Sequence, residues 1–358
     1  MKNTKIMSIA ILALALSACE NNVGTENTKA ENPAPKSEVS QELEKDSPSI
    51  DENSKDTESS MEKSDIITIT DAHGEVEVAR NPKKVVALDS RNFEVLEAMG
   101  VDLVAAPKDV MPETSSYLKD DSIENIGNHR EPNLELLAAT DPDLVIIGQR
   151  FADYYEDIKA IVPNASVIDL DTDVSEEANS PGNNLIEGFT NSTMILGKIF
   201  SKEDKANELI TDFEESIEKA KDAYKGGSVM GMVVSGGEIG YSAPKYGRVW
   251  GPVYEILELE PSLDVKNDSS DHKGDDISVE AIAESKPDYL MVLDRDAGVA
   301  SEENAKPAME VIEGSEALKD LEAIKNNKIY YAPNDTYTNE SIITYTKIFD
   351  GLAELFSK

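Results

Sequence analysis

The chain has 358 residues, 39 % of them hydrophobic, with 71 acidic and 34 basic side chains and a formal net charge of −37. That length supports two core-forming units of ordinary size. With no basic stripe to neutralise phosphates, nucleic acid is excluded as a partner, and the acidity favours a soluble, self-repelling surface.

The chain opens on a processing signal. Lys2 and Lys5 precede an apolar run from Ile6 to Leu16, too short to span a bilayer as a stable helix, and Leu16-Ser17-Ala18-Cys19 follows. Residues 1–18 read as a signal peptide. Cys19 is the only cysteine, and its setting resembles a bacterial lipobox, which implies cleavage before it and a diacylglycerol on its sulfur. Buried methylenes contribute roughly 0.8 kcal/mol each, so such chains hold a protein on a membrane. No other apolar run is long, so the lipid is the only expected membrane attachment. Residues 19–64 are Glu, Asp, Ser, Asn, Pro and Lys with few apolar side chains, a composition that predicts an extended, disordered acidic tether.

Folded sequence is expected from Asp65. The segments IITIT and EVEV around DAHG predict a β-hairpin turning at Gly74, and KKVVALD a buried strand before the helix NFEVLEAMG. Strands and helices then alternate, which predicts an α/β fold with parallel sheets. Leu185, Phe189, Leu196 and Phe200 recur at helical spacing, so one helix over 183–202 is expected to join an N-terminal lobe (65–182) to a C-terminal lobe (203–358). Ser201 before Glu203 and Asp204 predicts a second helix starting there.

An internal repeat is the most informative feature. LELLAATDPDLVIIGQR (134–150) and VEAIAESKPDYLMVLDR (279–295) align without a gap, sharing a glutamate, Pro-Asp and a terminal arginine. Each predicts a helix, a stop at Pro142 or Pro287, and a buried strand ending in Arg150 or Arg295. There are only six arginines among the 34 basic residues. Arg91, Arg150 and Arg295 each follow a predicted strand, the end at which open α/β sheets bind ligands. Arg248 lies in SAPKYGRVW, a Gly-containing loop opening a helix. Arg80 and Arg130 read as structural, and Tyr246 and Trp250 as core or cleft wall. Each arginine could instead pair with one of the many carboxylates.

In order and spacing, NPKKVVALD, PDLVIIGQR, SAPKYGRVWGPVYEILEL, DHKGDDISVEAIAESKPDYLMVLDR and IYYAPNDTYTNES resemble ABC-transporter solute-binding proteins of the ferric siderophore and cobalamin class. The similarity is greatest to ferric catecholate siderophore-binding proteins. This resemblance implies two Rossmann-like lobes joined by one long α-helix, the helical-backbone periplasmic-binding-protein-like fold, with small closure motions. It implies an extracytoplasmic, lipid-anchored monomer with no intrinsic cofactor, which binds a ferric siderophore between its lobes. An ABC permease with a cytoplasmic ATPase would receive the ligand. Arg150, Arg248, Arg295, Tyr337 and Arg91 would bind it. With a tetradentate siderophore, His272 and Tyr337 would complete the iron shell; otherwise His272 is solvated and Tyr337 lines the cleft. Glu135 and Glu280 would meet arginines of the permease, or else serve as ordinary helix-start acids. A trianionic ferric catecholate suits guanidinium, which stays charged, stacks on rings and donates a planar fork of bonds.

An enzyme is not expected, since Gly-x-Ser-x-Gly, a phosphate-cradling Gly-x4-Gly-Lys-Ser/Thr and His-Glu-x-x-His are absent. His73, His129 and His272 lack metal-ligand spacing. A non-transport surface lipoprotein would not need strand-end arginines. Haem, cobalamin and hydroxamate siderophores remain alternative ligands.

Overall fold

Alternating β-branched residues build β1 (Ile66–Asp71), which pairs antiparallel with β2 (Gly74–Ala79) from Ile66↔Ala79 to Asp71↔Gly74. The computed structural model describes residues 66–358 except 176–177, 266–268, 270, 272 and 300–305. The signal segment, Cys19, the tether and His272 therefore lie outside the described residues.

The N-terminal lobe continues with β3 (Val85–Ala87), α1 (Phe93–Met99), β4 (Ala105–Ala106), α2 (Ser116–Lys119), β5 (Glu124–Asn125), α3 (Leu134–Ala139), β6 (Leu144–Ile147), α4 (Tyr155–Ile161) and β7 (Ser166–Asp169). Its sheet is parallel throughout, in the order β5-β4-β3-β6-β7. β3 and β6 are wholly buried, which is why they read as unbroken apolar runs.

The joining helix α5 (Pro181–Phe200) starts with proline at its first position, where a missing N–H costs nothing. Glu255 of the other lobe holds that end, accepting from Ser180 Oγ and from Gly182 N at 2.9 Å. Ser201 terminates α5 with left-handed backbone (φ 55°), and α6 (Glu203–Ala223) is capped at Lys202, one residue later than a Ser201 cap would place it. The serine hydroxyl accepts from Asn81 Nδ2 instead of capping α6. At the α5–α6 crossing Gly197 faces Ala206, where a Cβ would lie 2.6 Å from the alanine methyl; only glycine allows the approach.

The C-terminal lobe holds β8 (Ser228–Ser235), β9 (Glu238–Tyr241), α7 (Trp250–Leu257), β10 (Glu260–Pro261), α8 (Val279–Ser285), β11 (Tyr289–Asp294), α9 (Arg295–Gly298), α10 (Ala308–Glu313), α11 (Glu322–Lys325), β12 (Ile329–Tyr331) and α12 (Ile342–Phe356). The parallel order is β10-β8-β11-β12, with β9 antiparallel on β8.

The repeat is visible in its hydrogen bonds. Asn133 caps α3 and Ser278 caps α8 through equivalent side-chain acceptors. Asp143 accepts from the Lys83 and Lys84 N–H groups at 2.8 and 2.9 Å, and Asp288 accepts from Ser228 N at 2.8 Å. Each Pro-Asp thus clamps the start of the adjacent parallel strand.

One hydrophobic cluster runs through both lobes, from Phe93 and Leu96 through Leu185, Phe189 and Leu196 to Phe213, Trp250 and Phe349. Phe189 of α5 meets Phe213 and Tyr345 edge-on, with centroids 5.9 and 5.3 Å apart. Nearby, Glu94 of α1 accepts from Ser341, from Thr344 Oγ1 at 3.0 Å and from Lys347 Nζ at 2.7 Å at the start of α12. The joining helix is embedded in this core, which opposes wide hinge motion.

Candidate functional site

The site forms where the C-terminal ends of β6 and β11 meet the turn before α12. After β6, Gln149 takes left-handed backbone (φ 46°), which is strained for a residue with a Cβ. Its N–H donates to Asp171 Oδ1 at 2.9 Å, and its amide oxygen accepts from Ser90 Oγ at 3.0 Å. These bonds fix Arg150 one residue into the following 3-10 turn (Gln149–Tyr154). In the second repeat Asp294 caps α9, accepting from Ala297 N at 2.9 Å, and Arg295 is the first helical residue. Arg295 Nη1 donates to Ser235 Oγ at 3.1 Å.

Arg248 is aimed by its neighbours on both sides. A Cβ on Gly247 would lie 2.2 Å from Ser242 Oγ and 2.6 Å from Ala243 N, so the loop closes only on glycine. On the other side Val249 is held at φ 67°, a conformation that costs a β-branched residue about 1–3 kcal/mol. The next residue, Trp250, anchors that strain: it is wholly buried and its indole N–H donates to Met232 O at 3.1 Å.

Three guanidinium groups surround the Tyr337 ring. Their central carbons lie 4.0 Å (Arg248), 5.2 Å (Arg295) and 5.9 Å (Arg150) from its centroid. Tyr337 itself is buried in a 3-10 turn (Thr336–Thr338), and its carbonyl accepts from Arg248 Nη2 at 3.0 Å. Arg248 Nε donates to Glu340 Oε1 at 2.6 Å. Burial works against the charge of Arg248, but Glu340 and Tyr337 together with Tyr345 outweigh it and the pKa is pushed up. Arg150 moves the other way: burial, then the Arg248 charge, push it down. Among the described residues Arg150 has no carboxylate within ion-pair distance. Arg295 reaches Asp296 only at 4.0 Å, and that carboxylate already accepts from Gly236 N and Gly237 N. The cleft is therefore under-neutralised, and an anion with aromatic faces would supply what its guanidinium groups lack.

The structure separates Arg91 from this ring. Its side chain is 5 % exposed, donates to Thr172 O at 2.9 Å and lies 3.6 Å from Asp171 Oδ1. Asp89 underneath accepts from Arg91 N and Asn92 Nδ2; burial pushes its carboxyl up to about 6 despite the nearby Arg91 charge. Arg91 thus lies behind the Arg150 turn, linked to Gln149 through Asp171. Tyr246 is half-buried with Lys245 Nζ 4.8 Å from its ring centroid. Glu135 and Glu280 sit exposed in the first turns of α3 and α8, and among the described residues neither forms an ion pair.

Two site residues were missed in the sequence. Glu340 is one acid among 71, and no pattern marks it. His129 follows β5 at the same end of the N-terminal sheet as Arg150, and its imidazole is held down by burial and then by Arg150, Arg130 and Arg248. Reading the loops after every strand, rather than only their arginines, would have found it. Among the described residues no group of three His, Cys, Asp or Glu side chains could hold a metal ion unaided. A cavity of about 520 Å³ lies elsewhere, between β1, the segment after β7 and α5, and includes none of the ring arginines.

The family model described as periplasmic binding protein matches residues 85–336, from β3 to the turn that carries Tyr337. The chain belongs to the periplasmic binding protein family. Family relatives include the petrobactin-binding protein YclQ of Bacillus subtilis (strain 168), 30 % identical over 264 residues that cover 73 % of this chain and 77 % of that protein. The ferric-anguibactin-binding protein FatB of Vibrio anguillarum is 26 % identical, covering 77 % and 82 %. The crystal structure of YclQ superimposes with a TM-score of 0.68 at 26 % identity, over 82 % of this chain and 99 % of that one. The periplasmic catecholate-siderophore binding protein VctP of Vibrio cholerae shares the fold, with a TM-score of 0.65 at 23 % identity over 80 % and 99 %. These family members are binding proteins, not enzymes.

Proposed function

We propose that this chain captures an anionic ferric siderophore, of catecholate type, between its lobes and delivers it to an ABC permease driven by a cytoplasmic ATPase. The observation that carries the reading is the arginine ring. Arg150 from one lobe and Arg248 and Arg295 from the other converge on Tyr337, and Arg150 has no acidic partner among the described residues. Guanidinium can bond metal-bound phenolate oxygens and stack near catechol rings, where ammonium would supply only charge. YclQ and FatB, by their names binders of petrobactin and ferric anguibactin, lend support to the class of ligand.

The remaining roles complete this reading. Cys19 carries the lipid that holds the protein on the outer face of the membrane, and the protein works as a monomer. Tyr337 approaches the ligand with a hydroxyl that has no hydrogen-bond partner among the described residues, and with a tetradentate siderophore it and His272 ligate the iron. Glu135 and Glu280, equivalent by the repeat, face the permease. Titrating the protein with ferric tris-catecholate and bis-catecholate complexes should quench its intrinsic fluorescence at submicromolar concentration. Binding of haem, cobalamin or a hydroxamate complex, with both catecholates inert, would overturn the ligand assignment.

A further inference from the structure

We propose that His129 is a contact group of the ligand cleft and takes up one proton when the anionic ligand is captured. The proposal rests on the functional reading above. It starts from how firmly the histidine is placed. Its loop is closed by backbone bonds from Ile126 N to Ala106 O (3.1 Å) and from Asn133 N to Ile126 O (2.8 Å). Within it, Asn128 Oδ1 accepts from Arg130 N at 2.8 Å. Tyr154, in the same turn as Arg150, donates its hydroxyl to His129 O at 3.0 Å. The histidine backbone is thereby tied to the turn that aims Arg150.

The side chain is left with unfinished chemistry. Nδ1 is buried and has no hydrogen-bond partner among the described residues, and an unmet buried polar group of this kind costs about 1–3 kcal/mol. The charges acting on the ring are Arg130 from its own loop, Arg150 from the turn after β6 and Arg248 from the loop before α7 in the other lobe. Tyr154, which holds the His129 carbonyl, lies in the same 3-10 turn as Arg150, so the histidine stands beside the Arg150 side of the cleft. The uncharged neighbour is the Tyr154 phenol, and no carboxylate acts on the ring among the described residues.

Partial burial, then the charges of Arg150, Arg130 and Arg248, push the imidazole toward its neutral form while the cleft is free. A polyanion seated beside Arg150 and Arg248 reverses the local field. The imidazole then binds a proton from solvent; the bond formed is one N–H, and both ring nitrogens become donors. Nδ1 can donate to a ligand oxygen, which resolves its unmet bonding. Capture and protonation are then linked, and affinity gains as pH falls through the window between the free and bound titrations.

Calorimetric titration with the ferric complex of a hexadentate tris-catecholate, in buffers of different ionisation enthalpy, tests this. At pH 6.5 the wild-type protein should take up about half a proton more than H129Q and bind about tenfold tighter, the difference narrowing toward pH 8.5. Because both proteins meet the same ligand, protonation of the catecholate cancels in the comparison. Equal proton uptake and parallel affinity curves would overturn the role of His129 while leaving the functional reading intact. Failure of the wild-type protein to bind would overturn both. Should H129Q not fold, imidazole ¹⁵N spectra of the wild-type protein with the diamagnetic gallium(III) complex decide: a doubly protonated His129 supports the proposal, and a neutral tautomer overturns it.

Discussion

Arg150 and Arg248 share one cleft and one chemistry, yet their environments push their protonation equilibria in opposite directions. The difference is distance to Glu340, which pairs directly with Arg248 and acts on Arg150 only from beyond ion-pair range. Charge-assisted hydrogen bonds contribute about 1.5–3 kcal/mol each, so replacing Arg150 and Arg295 together with alanine should weaken ferric catecholate binding at least about 100-fold. The melting temperature should stay nearly unchanged, because neither loss strands a carboxylate that lacks other partners. Arg248→Ala should behave differently: it leaves Glu340 buried and unpaired, and denaturant unfolding should show a loss of about 3–5 kcal/mol. At this scale the sequence is legible where a residue type is scarce. Six arginines stand out; Glu340 cannot, among so many acids. Arg91 follows its strand as Arg150 does, but Asp171 and the Thr172 carbonyl turn it inward, and no strand-end rule foresees those partners.

Elements decide where the arginines point. The repeat makes two helix–strand units whose Pro-Asp steps clamp neighbouring strands, and from this both Arg150 and Arg295 arrive at strand ends. Arg248 has no counterpart in the repeat and depends on a loop that closes only on Gly247. Gly247→Ala forces a Cβ against Ser242 and the Ala243 backbone, and overpacking of this kind costs about 1–3 kcal/mol. Equilibrium unfolding should show that loss together with weaker ligand binding. The helix α5 was legible from its apolar spacing. Strands β4, β5 and β10 are two residues long, and their pairing comes from the sheet around them rather than from any local pattern. Ser201 has the composition of a helix start, but the chain reverses there through left-handed backbone, so α6 opens later.

Taken whole, the described residues form two five-stranded sheets and a hairpin, with one hydrophobic cluster shared by both lobes and lined by the buried face of the joining helix. In the proposed docking, a permease would read loading through small displacements on the outer faces, where Glu135 and Glu280 stand exposed, one per lobe. Replacing both with alanine should leave ligand affinity unchanged and lower cellular uptake; normal uptake would remove their docking role. The alternation of strands and helices made this architecture legible. The shared core was not, because apolar periodicity tells which face of a helix is buried but not against which lobe. The arginine ring also has a kinetic face. The chain as a whole carries −37, so an approaching trianion is first repelled and feels the ring only within about one screening length, roughly 8 Å at physiological ionic strength. Added salt should hasten encounter by thinning that outer barrier, while the pairs formed inside the cleft, shielded from mobile ions, loosen less.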